Sequence, residues 1–329
     1  MSIVHANISV FVPHQGCKHA CSFCNQVHIT NTHTLPDKES ITAAVTAAKS
    51  SKKYDSKTTE LAFFGGSFTA IENKYMLELL NVGKSFVDAG DISGIRISTR
   101  PDAIDDEILK TLKSHGVTAI ELGAQSLDDE VLRLNKRGHK AEDVAAASKL
   151  IKSYGFSLGL QMMTGLLGDT DEKAIKTAES IISLNPDTVR IYPTIVLKNT
   201  YLEKLFKSGE YKAQTVEEAA VLCAKLITMF RANNINVIRV GLHSIEADSF
   251  VAGPWHSAFG EIVESKIYLE KIQSLLKNYP KGDYVISVNS SDVSKAIGQK
   301  RANIKAMEEL GYNIKIKGIK NKISIEIGE

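Results

Sequence analysis

The stretch IRISTRPDAIDDEILKTLKSHGVTAIELGAQ, residues 95–125, decides the fold. It contains a short apolar run, a segment with helical periodicity and a second apolar run: Ile95–Thr99, Asp105–Ser114 and Thr118–Leu122. β-Branched residues favour strands, and apolar residues three and four positions apart favour a helix. A strand, a helix and a second strand in this order are typical of a parallel sheet with right-handed crossovers.

The same alternation extends from the N-terminus to about residue 240. Its six strand-and-helix units suit an incomplete parallel barrel better than an eightfold one. The sequence therefore predicts an α/β fold, a partial parallel (β/α)6 barrel, whose active face is formed by the loops that follow the strands. The other predicted strands are Ile8–Pro13, Leu61–Phe64, Ser157–Met162 and Val189–Thr194, and helical segments lie between them at Lys38–Lys49, Tyr75–Val87, Ala141–Tyr154 and Glu172–Leu184.

The pattern changes near residue 280, where short strands and short helices replace the long units. We therefore predict two domains: residues 1–260, the barrel with a lid-like segment, and residues 261–329, a linking helix followed by a small α/β module. The predicted elements of the second domain are the helix Glu261–Lys277, the strand Tyr284–Val288, the helices Ser291–Ile297 and Ala302–Leu310, and the strands Asn313–Lys317 and Lys322–Ile327.

The composition is that of an ordinary globular protein. Of the 329 residues 43% are hydrophobic, 24% are charged and the net charge is +2, a balance that by itself requires neither nucleic acid nor a membrane as partner. No apolar run reaches the roughly 20 residues that span a bilayer, and the first residues lack the basic and apolar regions of a secretion signal. We expect a cytoplasmic protein with no membrane partner.

Three of the four cysteines lie within eight residues, directly after the first predicted strand. Cys17, Cys21 and Cys24 form a CxxxCxxC motif, which in a chain without an export signal indicates a metal site rather than disulfides. Three thiolates on one loop can bind three irons of a cubane cluster and leave the fourth iron open. A zinc site remains an alternative, with its fourth ligand supplied by His14, His19 or His28.

The motif, with Phe23 before its last cysteine, resembles the signature of the radical S-adenosylmethionine superfamily. The resemblance implies a [4Fe-4S] cluster on Cys17, Cys21 and Cys24, with S-adenosylmethionine bound at the open iron. It also implies reductive cleavage of this cofactor to methionine and a 5′-deoxyadenosyl radical, which abstracts a hydrogen atom from a substrate. Such a reaction needs an electron donor, such as a flavodoxin or ferredoxin. Cys223 has no counterpart in the motif, and we expect a buried structural thiol there.

The resemblance further assigns residues after the second and fourth strands to the cofactor. Gly65, Gly66 and Ser67 are similar to the family's glycine-rich motif, which receives the methionine amino group, although an ordinary turn would also use glycines. Gln125 resembles the glutamine that contacts the ribose. Arg137 resembles the arginine that pairs with the methionine carboxylate, and its alternative is a solvated charge at a helix end.

Two later segments complete the expected cofactor site. Gln161 falls where the family places a ribose-binding polar residue, and Met163 would flank the adenine. Ser98 and Arg100 belong to an RPD-like segment that is also assigned to the cofactor. Ser98 stands where close relatives have a glutamate, so the contact made by that carboxylate is in doubt.

Longer phrases narrow the resemblance to one branch. FFGGSFTAIE, STRPDAID, ELGAQSLDDEVLRLNKRGH, MMTGLLGDT and IYPTIVLKNTYLEKLFKSGEY are similar to the radical domain of the Elongator catalytic subunit over residues 8–212. That family modifies the wobble uridine of transfer RNA, which implies an RNA substrate here. The 329 residues leave no room for its acetyltransferase domain, so acetyl transfer is not expected. Oxygen-independent coproporphyrinogen dehydrogenase shares the barrel, and a Tyr-x-His-x-Pro-like phrase precedes its cluster motif. The equivalent stretch here, Ser9–His14, has no tyrosine.

Residues 241–256 form a polar segment that could close the barrel mouth. If the protein supplies a proton or hydrogen donor, His243 and His256 are the first candidates. The alternative is a surface connection that Trp255 anchors to the core.

The last segment resembles a K-homology RNA-binding core, in which a GxxG loop between two helices clamps a nucleic-acid backbone. Here the loop is Gly298-Gln-Lys300-Arg301, with arginine in place of the second glycine, and we expect these residues to bind RNA. A module used for packing or dimerisation is the alternative. For the whole chain, two other functions stay open: a radical enzyme acting on a small molecule or tetrapyrrole, and a non-enzymatic RNA-binding protein with a structural metal.

Overall fold

A computed structural model describes residues 6–12, 21–25, 34–242, 245, 247–320 and 326–328. Its main sheet is entirely parallel, and the strands follow one another across the sheet in chain order. The strands are β1 (Ala6–Val12), β2 (Thr59–Gly65), β3 (Gly94–Thr99), β4 (Val117–Gln125), β5 (Ser157–Thr164), β6 (Thr188–Pro193) and β8 (Asn236–Val240). They form a curled half-barrel, which confirms the predicted α/β class.

The seventh strand, β8, was not predicted. It is the last strand of the sheet and pairs only with β6 in the described part of the chain. Its residues are exposed or half-buried, and Ile238 is 37% exposed. An edge strand of this kind lacks the apolar run by which a buried strand is recognised. A short antiparallel pair, β7 (Val196–Leu197) with β9 (Phe250–Ala252), lies outside the main sheet.

Helices cover the outer face of the sheet, and the sheet residues that face them form the main core, including Ile97, Leu122 and Leu160. Polar side chains start several of these helices directly after the loops: those of Asp105 and Thr170 accept hydrogen bonds from backbone N–H groups three residues ahead. The helices are α1 (Lys38–Lys49), α2 (Asn73–Asp88), α3 (Asp106–Ser114), α4 (Asp129–Leu134), α5 (Ala141–Ser153), α6 (Asp171–Ser183), α7 (Tyr201–Ser208) and α8 (Val216–Ala232).

The C-terminal module has its own sheet and its own apolar core. The elements are α9 (Phe259–Leu276), β10 (Gly282–Asn289), α10 (Val293–Ile297), α11 (Ala302–Glu309), β11 (Tyr312–Ile319) and β12 (Glu326–Gly328). In this sheet β10 lies between β11, which is parallel to it, and β12, which is antiparallel. Helix α9 joins both cores, since Val263 and Ile267 pack in the barrel core while Ile272 and Leu276 pack in the module core. The division at residues 260 and 261 therefore remains a prediction.

No helix in the part of the chain that the structure describes is both long enough and apolar enough to cross a bilayer.

Candidate active site

Two of the three motif cysteines, Cys21 and Cys24, lie on one tight turn. The backbone N–H of Cys24 donates to the carbonyl of Cys21 over 3.2 Å. Between them Ser22 is fully buried, and its hydroxyl donates to the Asn135 side chain over 2.6 Å. The carbonyl of Ser22 accepts from the N–H of Leu202, at the start of α7, over 2.8 Å. These contacts fix the turn against the segment after α4 and the start of α7.

Cys17, His14, His19 and His28 lie outside the described residues. Within those residues, no group of three or more His, Cys, Asp and Glu side chains could hold a metal ion. The expected cluster ligands and the alternative zinc ligands therefore stay predictions. Cys223 is fully buried on α8, where burial raises the pKa of its thiol to about 12, so it is the structural thiol that was expected.

Arg137 is buried beside the cysteine turn and is not a solvated charge. One terminal nitrogen of its guanidinium donates to Cys21 Sγ over 3.2 Å, and the other donates to the Gly123 carbonyl over 2.6 Å. Its Nε is buried and has no hydrogen-bond partner among the described residues. Arg100 supports it from behind by donating to the Arg137 carbonyl, and Asp102 fixes Arg100 through a bond of 2.8 Å. A fixed cation therefore faces the motif sulfur with donor capacity left over.

His139 is a site residue that sequence reasoning missed. It is 6% exposed, close to Arg137 and Arg100. Burial, with the charges of those two arginines, lowers the pKa of His139 to about 4. The imidazole is therefore neutral at physiological pH and adds no third positive charge to this cluster. Its position two residues after Arg137 in the RGH phrase was the available signal.

Gly65 occupies a backbone position that only glycine fits. Its φ angle is +110°, and a Cβ atom there would lie 2.9 Å from the backbone oxygen of Val12 at the end of β1. The next residue, Gly66, donates its N–H to the same oxygen over 2.9 Å. Ser67 follows and is buried. The two glycines therefore let the loop after β2 pack closely against the end of β1.

Gln125 ends β4 next to Arg137. The register between β4 and β5 shifts between Gly123 and Gln125, and Gln125 adopts a left-handed φ of 64°. A Cβ atom on Gly123 would lie 2.9 Å from Gln125 Nε2 and 3.4 Å from Arg137. The structure thus brings together Gln125 and Arg137, two residues assigned to one cofactor from separate motifs.

A second group of expected residues meets inside the barrel, where Gln161 Nε2 donates to Ser98 Oγ over 3.3 Å and to Glu121 Oε2 over 2.8 Å. Close relatives have a glutamate at the position of Ser98 on β3. Here Glu121, on the neighbouring strand β4, places a carboxylate beside Ser98. Met163 lies two residues beyond Gln161 on β5, so both side chains are on the same face of the sheet.

Glu121 is the centre of a buried ionic network. Arg190 binds it with two hydrogen bonds of 2.7 and 3.0 Å, and Arg96 binds it at 3.3 Å. Arg96 also binds Glu60 at 2.7 Å. A sequence signal was present, because each of these residues is a single charge inside an apolar strand. Charges at such positions are rarely left unpaired when buried.

The candidates in the lid-like segment give a mixed result. His243 lies outside the described residues. His256 is half-buried, and its Nδ1 accepts the Ala258 N–H over 3.0 Å, close to the start of α9. Trp255 packs against Phe250 of β9 with ring centroids 6.0 Å apart. A catalytic role for either histidine stays a prediction.

The expected RNA-binding loop lies in the C-terminal module, between α10 and α11. Lys300 and Arg301 are exposed and both adopt left-handed φ angles, 50° and 62°. Gly298 precedes them with a φ of +77°. Buried Asn303, on α11, fixes the loop. Its side-chain amide donates to the carbonyls of Ser265 on α9 and Ala296 on α10 over 2.9 and 3.1 Å. Arg301 therefore takes the backbone conformation that a second glycine would favour.

Comparison with known proteins is in accord with this architecture. A family model described as the radical SAM superfamily matches residues 11–181, and one described as a radical SAM C-terminal domain matches residues 186–269. The tRNA uridine(34) acetyltransferase of Methanocaldococcus infernus is 32% identical over 234 residues, which cover 64% of this chain and 43% of that protein. Elongator complex protein 3 of Homo sapiens is 32% identical over 139 residues, 41% of this chain and 25% of that protein.

A solved structure of an archaeal relative is similar in fold to this chain. Archaeal Elp3 of Methanocaldococcus infernus, with an N-terminal deletion, matches with a TM-score of 0.64 and 25% identity over 81% of this chain and 63% of that chain. The chain spans less than half the length of the two curated relatives. The superfamily model alone matches more than half of the 329 residues. The half-barrel, the cysteine turn and these matches together show that the chain belongs to the radical S-adenosylmethionine superfamily of enzymes.

Proposed function

We propose that the chain reductively cleaves S-adenosylmethionine at a [4Fe-4S] cluster bound by Cys17, Cys21 and Cys24, and that it acts on transfer RNA. When bound, the cluster supplies the electron that splits the sulfonium into methionine and a 5′-deoxyadenosyl radical. The observation that carries the proposal is the buried guanidinium of Arg137, which donates to Cys21 and keeps its Nε without a partner among the described residues.

The donor set fits the cofactor's polar groups. Arg137 offers a fixed cation to a carboxylate, for which a guanidinium is well suited because its donors match two carboxylate oxygens. The loop at Gly65 and Gly66 lets a ligand approach the backbone without a Cβ atom in the way. Gln125 and Gln161 supply amide side chains, which offer both the donors and the acceptors that a ribose needs.

Transfer RNA is the proposed substrate for two reasons. The named relatives are a tRNA uridine(34) acetyltransferase and Elongator complex protein 3. The C-terminal module also exposes a set of cationic side chains: Lys300, Arg301, Lys305, Lys315, Lys317 and Lys320. Such a basic surface is the usual electrostatic basis of RNA binding. A tRNA substrate agrees with the expected cytoplasmic location. For the reductant we propose a small electron-transfer protein, such as a flavodoxin or ferredoxin.

Cysteine variants test the cluster directly. After anaerobic reconstitution, Cys21→Ser and Cys24→Ser should lose most bound iron and all production of 5′-deoxyadenosine. Cys223→Ala is the matched control, because that thiol is buried on α8 away from the motif, and it should keep both. Wild-type protein that binds zinc in place of iron, or Cys21→Ser protein that still cleaves the cofactor, would refute the proposal.

A further inference from the structure

A β-bulge in the last strand of the sheet turns a charged side chain into the barrel. Val189 of β6 pairs with Val237 of β8, and the register then shifts so that Arg190 pairs with Arg239. Val237 packs on the helix side of the sheet, and without the shift Arg239, two residues on, would point to that side as well. With the shift it shares the inner face with Arg190. Bulges commonly re-aim side chains in this way beside active sites.

The inner face to which Arg239 turns is the interior of the barrel. The guanidinium of Arg190 lies 5.2 Å from the ring centroid of Phe64, which belongs to β2 on the opposite side of the curled sheet. Phe64 in turn packs near Phe11 of β1, with ring centroids 6.3 Å apart. Arg190 and its neighbour therefore face a partly aromatic chamber, and the carboxyl ends of parallel strands, where ligands bind, surround it.

Among the described residues, the charges on this inner face do not balance. Two carboxylates, Glu60 and Glu121, are bound by Arg96 and Arg190 at 2.7 to 3.3 Å. Arg239 is the third guanidinium, and among the described residues no carboxylate forms an ion pair with it. Its one hydrogen bond to a described residue runs from Nε to the Gly241 carbonyl over 3.2 Å. Its terminal nitrogens are thus left for another acceptor.

This arrangement is unfavourable for the protein alone. Arg239 is half-buried, and burial, together with the charge of Arg190, lowers the pKa of its guanidinium. A partly desolvated cation beside another cation is destabilising unless an anion compensates it. Charged groups perturbed in this way cluster at functional sites. The charge of Arg190 is already compensated by Glu121 through two hydrogen bonds.

We propose that Arg239 binds a phosphate group of the RNA substrate inside the barrel. Arg190, held by Glu121, adds its positive field to the same face. The inference deepens the proposed function, on which it rests, by assigning a charged group to the part of the RNA that enters the barrel. The cofactor's own carboxylate is expected at Arg137, beside the cysteine turn, so it leaves Arg239 available.

The binding test uses the purified chain, with inorganic phosphate and acetate as separate probes. The arginine Nε–Hε signals are recorded by NMR, and the Arg239 signal is the one absent from Arg239→Gln. Arg231→Gln is the matched control, because Arg231 is an exposed arginine on α8 that pairs with Glu264 outside the barrel. A saturable shift of the Arg239 signal with phosphate supports the inference, whereas a shift with acetate and none with phosphate would overturn it. No shift of that signal with either probe would overturn the inference.

The functional test follows the stimulation of 5′-deoxyadenosine production by tRNA, expressed against each variant's own rate without tRNA. For Arg239→Gln this ratio should fall about tenfold, the size expected for one charge-assisted hydrogen bond. Arg239→Lys should recover part of it, and Arg231→Gln should match wild type. Full stimulation in folded, iron-loaded Arg239→Gln would overturn the inference and leave the proposed function intact. Absence of stimulation in wild type would count against the proposed RNA substrate itself.

Discussion

At the scale of single residues, the site depends on side chains whose ordinary behaviour the fold has changed. Arg137 would be a solvated charge on most helix ends, but here it is buried against Cys21. His139 would be half-protonated near neutral pH in a free peptide, but here it is held neutral. Both changes have the same cause, which is burial. The side chains of Arg137 and His139 are buried between α4 and α5, against the end of β4.

The shifted pKa of His139 predicts how stability depends on pH. Between its folded pKa of about 4 and the ordinary value of 6.5, the unfolded chain binds a proton that the folded chain does not. Stability from this residue is therefore complete above about pH 6.5 and is lost as the pH falls towards 4, by roughly 2–3 kcal/mol. Urea unfolding of the chain before reconstitution should show a shallower loss for His139→Gln than for wild type. Parallel pH profiles of the two proteins would contradict this.

Gly65 gives a second prediction at this scale. Gly65→Ala should lower the free energy of unfolding by about 3 kcal/mol or more, because the new Cβ atom meets the Val12 backbone oxygen at 2.9 Å and the φ of +110° is strained for alanine. The matched control is Gly90→Ala, whose φ is +73° but whose Cβ atom would have no neighbour within 4 Å. That variant should cost only about 1–2 kcal/mol. Equal losses measured by urea unfolding would show that the close approach to β1 does not matter.

At the scale of elements, the strands of the barrel are joined by charges as well as by backbone hydrogen bonds. Glu121 on β4 connects β3 and β6 through Arg96 and Arg190. Glu121→Gln removes the carboxylate partner of Arg190, while Arg96 keeps its pair with Glu60, and we expect a loss of about 3 kcal/mol in the free energy of unfolding. Glu130→Gln, which breaks the exposed pair with Arg133 on α4, should cost much less, because solvent screens that pair. A small loss at Glu121 would mean that the network contributes little to stability.

The loop between α10 and α11 carries a prediction that separates stability from binding. Arg301→Gly should change the free energy of unfolding by less than about 1 kcal/mol, since relief of the left-handed backbone offsets the added chain entropy. It should weaken tRNA binding and reduce the slope of affinity against salt by about one unit, because one phosphate contact is lost. Lys84→Ala, on α2, is the control, and it should leave the salt slope unchanged. Filter binding over a range of salt measures both, and an unchanged slope for Arg301→Gly would exclude the loop from the RNA interface.

At the scale of the whole molecule, the sequence predicts the strands that are buried on both faces. It does not predict contacts between residues that are far apart in the chain. The first six strands could be predicted because each is an apolar run, whereas β8 is half-exposed at the edge. The contact of Arg137 with Cys21 joins residues 116 positions apart, and no periodicity predicts it. The family resemblance assigned Arg137 to the cofactor but did not predict this contact. The position of Arg239 depends on a single register shift, which only the three-dimensional pairing with β6 shows.

The most direct measurement of the central claim is an anaerobic assay of reconstituted protein with dithionite and S-adenosylmethionine, in which 5′-deoxyadenosine is followed with and without bulk transfer RNA. We expect cofactor cleavage that rises when tRNA is added and that is absent from Cys21→Ser. Cleavage indifferent to tRNA would contradict the RNA substrate and favour a small molecule or tetrapyrrole. No 5′-deoxyadenosine from protein with a complete cluster would contradict the proposed radical activity itself.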